Sequence, residues 1–503
     1  MGGFSKRSFL RATVLGSTAI AFGIRANSNA SKRAVKSNLL VFLPDELRAD
    51  AIMGEAARSV HAPNLHKLAS ESFVFERAYV TQPICSPSRS SLLTGTWPHQ
   101  TGCTNNKGVL PLNALCLPQM LADQHYQTGY FGKWHLGDEF SAQRGFQEWV
   151  SIDDSFKTVE HGHKSGGTSD YTKFLIAHGY RPDRHDGKLF SLEFPSTLPF
   201  EFSKAKFLEN KACDFLERNR HKHFVLFVAF LEPHPPYNGP FNAEHRLEAV
   251  PLDSTVDNVF NEDLPLRSRL LQEFYRKQIR NADGYRQIKQ RYFGLISEID
   301  RSVGAILAKL EDLGLAERTI TVLTSDHGDM MSAHGILGKQ LMFEQSASVP
   351  LVIRVPGETP GRYSRPVSQI DFVPTILDVL GKPPHGQCAG RSRAHLIRGE
   401  TAPADFVFLQ WSPGKGDVEI KTSALATKRE VQKCFSETTR AVVSPDGWKL
   451  CLRDHDKNEL YNMKDDPDEL HNLYYSGSHH DTAAALTRRI HQWQRLVRDR
   501  ITV

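Results

Sequence analysis

A chain of 503 residues is too long for one simple core and calls for two or three domains. Its hydrophobic content of 40% and charged content of 24% are ordinary for a soluble globular protein. Lys and Arg number 62 against 57 Asp and Glu, a net charge of +5. Spread over this length, that excess argues against a nucleic-acid partner and is compatible with local attraction of anions.

Residues 1–30 read as an export signal. Ser5-Lys6-Arg7-Ser8-Phe9-Leu10-Arg11 precedes an apolar run, Ala12 to Ile24, and Ser28-Asn29-Ala30 offers a small-residue cleavage site. The run is too short to span a bilayer comfortably, so no integral membrane span is expected and an exported, periplasmic or extracellular location is. None of the 7 cysteines form a Cys-x-x-Cys pair, which speaks against a zinc knuckle or a thioredoxin-like site. In an exported chain some of the cysteines other than Cys85 could pair, in a pattern the sequence does not disclose.

The folded part opens with residues 39–43 (LLVFL), a continuous apolar run of the kind found in strands covered on both faces. It ends at Pro44-Asp45-Glu46, and a carboxylate just past such a strand sits where open α/β sheets place ligands. Residues 64–72 read as a helix with Leu65, Leu68 and Ala69 on one face, and 115–125 as another. Residues 127–137 (QTGYFGKWHLG) carry a dense polar cluster. Over 151–205 the pattern dissolves into Gly, His, Asp and Pro, and 238–280 is a second polar excursion. Between them 224–230 (FVLFVAF) is a buried strand; Pro235 and Pro236 forbid its continuation and fix His234 at its exit.

Helical periodicity is clearest over 289–314, where Phe293, Ile296, Ile299, Val303, Ile306, Leu307 and Leu310 share a stripe and Gly314 is the C-cap candidate. Residues 319–324 (TITVLT) form a β-branched strand that runs into Ser325-Asp326-His327-Gly328-Asp329. A strand over 349–355 and a helix over 371–380 follow. After about residue 385 the pieces are short: 405–411, 440–443, 448–452 and 459–462, the last two read as antiparallel neighbours, then a helix over 481–498. The alternation of strands and helices makes the chain α/β. Its divisions are 1–30, 35–385 and 386–503.

The densest chemistry lies in Gln82-Pro83-Ile84-Cys85-Ser86-Pro87-Ser88-Arg89. Pro87 suits the first turn of a helix, where its missing N–H is not needed. Cys85 then stands at or just before the helix start, with Ser86 and Ser88 able to cap backbone donors. A helix N-terminus favours anions, and Arg89 adds a planar fork of donors. Asp45 after one strand and Asp326 with His327 after another suit a divalent cation.

Cys-Ser-Pro-Ser-Arg, Cys85 to Arg89, resembles the signature of the formylglycine-dependent (type I) sulfatases of the alkaline phosphatase superfamily. Gly132-Lys133-Trp134-His135-Leu136-Gly137 is similar to that family's second signature. The order Asp45, Cys85–Arg89, Lys133–His135, His234, Asp326–His327 and Gly338-Lys339 follows the family across most of residues 38–380. Glu459-Leu460-Tyr461-Asn462, Asp466-Pro467 and Asn472-Leu473 look like its closing segment. The resemblance implies a large mixed-sheet domain with helices on both faces, and a smaller C-terminal α+β domain built on a four-stranded antiparallel sheet and one long helix.

It also implies a reaction. Cys85, oxidised by a formylglycine-generating enzyme, would form a hydrate that attacks the sulfur of a sulfate ester. Asp45, Asp326, His327 and residue 85 would hold the metal, calcium by preference and manganese as the alternative. Arg89 would hold the hydrate, Lys133 and Lys339 brace the sulfuryl group, His234 protonate the departing alcohol and His135 take the proton that lets sulfate leave. Many sulfatases have two adjacent aspartates where this chain has Asp45 and Glu46, and Glu46 is left outside the metal shell. His327, where other members carry Asn, resembles the phosphonate monoester hydrolase and choline sulfatase branches. Lys6 replaces the first arginine of a twin-arginine signal. The expected substrate is a sulfated saccharide, with the excursions 151–205 and 238–280 as its readers. A phosphonate or phosphate ester hydrolase and a non-catalytic sulfated-glycan-binding protein are the alternatives.

Overall fold

The computed structural model describes residues 37–503 except 55, 155–158, 161–162, 165–166, 186, 258–260 and 415–419. The export signal expected over 1–30 and parts of both polar excursions lie outside the described residues. Among those described, no helix is long and apolar enough to cross a membrane.

The strands in chain order are β1 (Asn38–Phe42), β2 (Phe73–Tyr79), β3 (Tyr126–Gly132), β4 (Glu148–Val150), β5 (Val159–Glu160), β6 (His163–Lys164), β7 (His223–Ala229), β8 (Thr319–Thr324), β9 (Ser348–Arg354), β10 (Gly361–Tyr363), β11 (Val367–Ser368), β12 (Val407–Trp411), β13 (Thr439–Val443), β14 (Trp448–Arg453) and β15 (Glu459–Asn462). The large sheet has 9 strands in the order β10-β2-β9-β8-β1-β7-β3-β4, with β11 also on β2. It is mixed: β9 runs antiparallel to both neighbours, and the other pairings are parallel.

Strand β1 lies in the middle of that sheet and is buried along its whole length. Alternate side chains enter opposite cores, as the pleat requires. Leu40 and Phe42 pack with helices Pro63–Ser70, Lys204–Arg218 and Ala282–Asp312. Leu39 and Val41 pack with helices Cys85–Thr94, Leu117–Leu121 and Phe372–Val379. Helices therefore cover both faces, which explains why the central strands read as unbroken apolar runs. The segments leaving β1, β3, β7 and β8 all emerge from one end of a parallel group and carry Asp45, Lys133, His234 and Asp326.

The smaller sheet is the antiparallel meander β12-β13-β14-β15. Val442, Leu450, Leu452 and Leu460 on one face meet Ala483, Leu486 and Ile490 of the helix His480–Val497. Val407, Leu409, Trp411, Ala441 and Val443 on the other meet Tyr79, Ile84, Met342 and Ala347 of the larger part. All seven cysteines are free.

Several elements depart from the pattern reading. Helices Asp170–Ala177 and Leu266–Gln278 fall within the stretches expected to be irregular, and Lys204–Arg218 starts at the edge of the first. The second of them is capped from far away: Leu266 and Arg267 N–H groups donate to Asp456 at 2.8 and 3.0 Å. A cap 190 residues distant leaves no local trace. The helix read over 115–125 shrinks to Leu117–Leu121, because Ala122 turns left-handed at φ 46°. The long helix begins at Ala282, ahead of the readable stripe, where Asn281 accepts from the Gly284 N–H at 3.0 Å.

A buried charge cluster bolts the two sheets together. Lys449 on β14 lies 2.9 Å from Glu344 and 2.7 Å from Glu469, and Tyr79 at the end of β2 donates to Glu344 at 2.9 Å. Removing one member leaves its partners as uncompensated buried charges. Lys449→Met is expected to lower the unfolding free energy by roughly 3–5 kcal/mol, read as a drop in urea midpoint at unchanged slope.

Candidate active site

Helix Cys85–Thr94 is buried at all its positions, so its polar side chains must find partners inside the protein. Ile84, not a serine, occupies the N-cap, and its own side chain offers no cap. The Ser86 N–H donates to Asn106 Oδ1 at 3.1 Å, while its hydroxyl donates to the His135 carbonyl at 2.7 Å. The Ser88 hydroxyl reaches the Asp326 carbonyl and lies 2.9 Å from Gln369 Oε1. The two serines therefore tie the helix to the other strand ends instead of capping it.

Cys85 stands at the first helical position and faces the end of the sheet. Its Sγ lies 3.2 Å from His327 Nε2, 3.9 Å from Asp45 Oδ1 and 3.8 Å from Lys133 Nζ. One ligand atom from each of Asp45, Cys85, Asp326 and His327 lies within 4.8 Å of the others, and all four residues are buried. His327 Nδ1 is 2.9 Å from the Gly328 carbonyl, so Nδ1 donates there and Nε2 turns its lone pair to the cluster. Two carboxylates and an imidazole around the Cys85 side chain form a donor set that fits a divalent cation. The sulfur marks the place from which a converted side chain would offer its oxygens.

Cations offset this charge. Arg89, fully buried, donates through Nε to Asp326 Oδ2 at 2.8 Å and through one terminal nitrogen to the Lys133 carbonyl at 2.7 Å. Its other terminal nitrogen lies 3.7 Å from Asp45 Oδ2. Lys133 Nζ makes a close ion pair with Asp45. Burial works against charge on Asp45, yet Lys133, His234, Arg89 and Lys339 outweigh it and hold the carboxyl well below its usual range. Asp326 moves the other way, pushed up by burial and by Asp45 despite Arg89. Burial also pushes the Cys85 thiol up, against the pull of Lys133.

Lys133 and His135 reach the site because the residue between them is anchored behind it. Trp134 is buried against Tyr130 and Trp149, with ring centroids 5.0 and 5.3 Å away. Gly132 holds φ 119°, and a Cβ there would fall 1.8 Å from the Ala229 carbonyl oxygen, so only glycine lets β3 turn beside β7. Glu139, which sequence reasoning missed, accepts the Trp134 N–H at 3.1 Å and the His135 N–H at 2.6 Å. Burial, then Lys133 and Arg89, hold the His135 imidazole well below its usual range.

His234 and Lys339 meet at Glu46. His234 Nε2 is 3.3 Å from Glu46 Oε1, and Lys339 makes a close ion pair with the same oxygen. Glu46 stands apart from the four-group cluster. Every residue picked from the sequence thus lies at this end of the sheet; Glu139, Asn106 and Gln369 complete it without any motif to announce them, and Asp329, which closes the Ser325–Asp329 run, joins them. Beyond His234, the 151–205 stretch encloses a cavity of about 370 Å³ bordered by Asp153, Asp154, Tyr171, Arg184 and Lys204. It shares Leu192, Pro195 and Lys204 with a smaller cavity that reaches His234.

The sequence pattern of the family described as "Sulfatase" matches residues 37–382. The chain belongs to the sulfatase family. The pattern described as "N-sulphoglucosamine sulphohydrolase, C-terminal" matches residues 332–496 of this sulfatase. It is 27% identical over 462 residues to a choline-sulfatase of Rhizobium meliloti, covering 87% of this chain and 82% of that protein. It is 24% identical over 546 residues to an N-acetylglucosamine-6-O-sulfatase of Bacteroides thetaiotaomicron, covering 95% and 90%. Its fold resembles that of a phosphonate monoester hydrolase from Silicibacter pomeroyi, with TM-score 0.75 and 22% identity over 92% of this chain and 96% of that one.

The Glu139 carboxyl makes one prediction. Burial and the nearby Asp153 push it up to about 8, so the folded sulfatase binds this proton more tightly than the unfolded chain does. The resulting stability is present at low pH and lost as pH rises through about 8. Glu139→Gln turns an amide N–H toward one of the two backbone donors and is expected to cost roughly 1–3 kcal/mol. Chemical denaturation across pH 5 to 9 should also show a flatter alkaline decline for Glu139→Gln (pH limits about three units below and one above the shifted value).

Proposed function

We propose that this sulfatase hydrolyses sulfate esters of carbohydrate through formylglycine made from Cys85, with Asp45, Asp326, His327 and residue 85 holding a divalent cation. The observation that carries the reading is the gathering of those four groups, with Arg89 and Lys133 against them, at the exit of the central strands. Formylglycine supplies, when hydrated, two hydroxyls on one carbon, and the cation supplies Lewis acidity and charge neutralisation. Calcium is the favoured ion and manganese the alternative.

The protein's own groups divide the remaining work. Arg89 fixes Asp326 with one nitrogen and keeps another for the oxygens of residue 85. Lys133 and Lys339 place fixed positive charge where sulfuryl oxygens gather negative charge, in a site that excludes water. His234, at the mouth of the small cavity, gives its proton to the departing alcohol. His135, held by Glu139 through its backbone, takes the proton whose loss releases sulfate.

The likeness to an N-acetylglucosamine-6-O-sulfatase and the cavity beyond His234 support a sulfated saccharide as substrate, the ring being received by the 151–205 stretch. Residues 35–385 would form the catalytic part, 386–503 the C-terminal subdomain and 1–30 the export signal that sends the protein to the periplasm or outside the cell. A second reading, a phosphonate or phosphate ester hydrolase, draws on the fold shared with the phosphonate monoester hydrolase.

Sulfate release from a panel of defined sulfated saccharides, beside an aryl sulfate and an aryl phosphonate, tests the reading. Faster turnover of the phosphonate than of every sulfate would reverse it. Mass spectrometry of the Cys85 peptide from a host with a formylglycine-generating enzyme should find an aldehyde in place of the thiol; an unmodified thiol favours a glycan-binding protein. Chelation with EDTA is expected to stop sulfate release, with calcium restoring it more fully than manganese. Lys133→Ala should lower kcat by about 10²–10³-fold in steady-state assays, the usual cost of losing one oxyanion donor.

A further inference from the structure

We propose that Glu46 is a positioning residue that holds the His234 imidazole and the Lys339 ammonium with one carboxylate, and is not a ligand of the cation. The proposal rests on the reading of this site as one that cleaves sulfate esters.

Glu46 follows Asp45 directly, so the chain offers two carboxylates in succession at the end of β1. They go to different places. Glu46 has φ 67°, a left-handed turn that is strained for a residue with a side chain. Both sides of its backbone are tied down. Its N–H donates to Asp326 Oδ1 at 3.2 Å, and its carbonyl accepts from the Tyr292 hydroxyl at 2.7 Å. Tyr292 in turn accepts the Arg48 N–H at 3.0 Å. The turn leaves Asp45 in the four-group cluster and Glu46 outside it.

The Glu46 side chain is fully buried, and a carboxylate in that position demands opposite charge. Lys339 supplies that charge in a close ion pair, and His234 Nε2 lies 3.3 Å from the same carboxylate oxygen. No other hydrogen bond among the described residues reaches either carboxylate oxygen. His234 Nδ1 donates to the Pro235 carbonyl at 2.7 Å, which fixes the ring by backbone on one side and leaves Nε2 facing Glu46 on the other.

A second carboxylate joins the same two segments, through a side chain on one and the backbone of the other. Asp329 accepts from the Tyr237 hydroxyl at 2.5 Å on the His234 side, and from the Gly338 N–H at 2.9 Å on the Lys339 side. Asp329 therefore sets the distance between the segments, and Glu46 sets the two side chains that project from them. Each of those side chains would meet the substrate at a different atom, one at the ester oxygen and one at the sulfuryl group. A single tether keeps the two contacts in register, which is what a transition-state-complementary site requires.

Glu46→Gln in the full-length, matured protein tests this with two readouts. Calcium per chain by elemental analysis should equal that of the parent, whereas Asp45→Asn should lose it. The loss of kcat should be at least about tenfold greater for a saccharide sulfate, whose alcohol needs a proton to leave, than for nitrophenyl sulfate. That selective loss should vanish in a His234→Ala background, the mark of two residues acting as a unit. Loss of calcium from Glu46→Gln overturns the proposal and makes Glu46 a ligand. Equal loss on both esters, additive with His234→Ala, overturns it too. If Glu46→Gln does not fold, the charge-balanced Glu46→Gln/Lys339→Met pair is judged by the same calcium measurement. An unsubstituted, calcium-loaded protein that releases no sulfate from either ester refutes the underlying reaction and, with it, this role for Glu46.

Discussion

The constraint on which this structure turns is the packing of like charge without water. Asp45 and Asp326 are both fully inaccessible and stand at adjacent strand ends. Two carboxylates so placed repel one another and have lost their hydration, a combination that costs several kcal/mol per ion unless something answers it. Arg89 and Lys133 answer part of it, each reaching its carboxylate from a different element. Asp45 nevertheless keeps both Lys133 and Arg89 near it, while Asp326 has Arg89 alone as a close cationic partner. A divalent cation among the four groups would answer the rest. Electrostatics and donor chemistry thus point to the same occupant.

Such an arrangement needs a scaffold that does not yield, and the fold supplies one. The parallel group β8-β1-β7-β3 delivers four segments to one end, and its strands are packed on both faces. The helix that carries Cys85 and Arg89 is buried along its length and pinned by hydroxyls to His135 and Asp326. Behind its first residue, Ile84 packs into the core of the smaller sheet. The main chain at Thr81 accepts from the Gln410 N–H at 2.8 Å, and Pro83 accepts from Gln340 at 3.0 Å. The C-terminal sheet therefore buttresses the start of the helix that bears Cys85 and Arg89, although it contributes none of the charged groups gathered there.

Much of this was legible in the chain, for a physical reason. Strands buried on both faces must be apolar throughout, so β1, β7 and β8 announce themselves, and whatever polar residue follows them stands out. Asp45, His234, Asp326 and His327 stand out that way, the helix-start chemistry of residues 82–89 marks Cys85 and Arg89, and the family resemblance adds roles for Lys133, His135 and Lys339. The supporting groups were not legible. Asn106 and Asp329 act on Ser86, Tyr237 and Gly338, which the fold brings to them, and Glu139 on the Trp134 and His135 N–H groups a few residues back, where no repeating pattern points to a buried turn. The helix Leu266–Gln278 hid for the same reason, since Asp456 completes its N-terminus from the smaller sheet. By contrast Ser169, which accepts the Thr172 N–H at 3.1 Å, is a local cap that could have revealed the helix Asp170–Ala177.

The segment that bears Lys339 shows how the two sheets share one site. Met330, Ala333, Ile336, Leu341 and Phe343 form a small core with Tyr461 of β15 and with Leu264 and Leu271. Met342 and Ala347, a few residues on, join the core between the sheets. Lys339 therefore projects toward Glu46 from a stretch held by Leu264, Leu271, Gln272 and Tyr285 of the larger part together with Tyr461 of the smaller sheet. The second family pattern, which starts at residue 332, begins at just this stretch. A charge that has to meet a transferring group closely cannot hang from a loose loop. The small core under residues 330–343 fixes the stretch that bears Lys339, and through Tyr461 the C-terminal sheet shares in holding it.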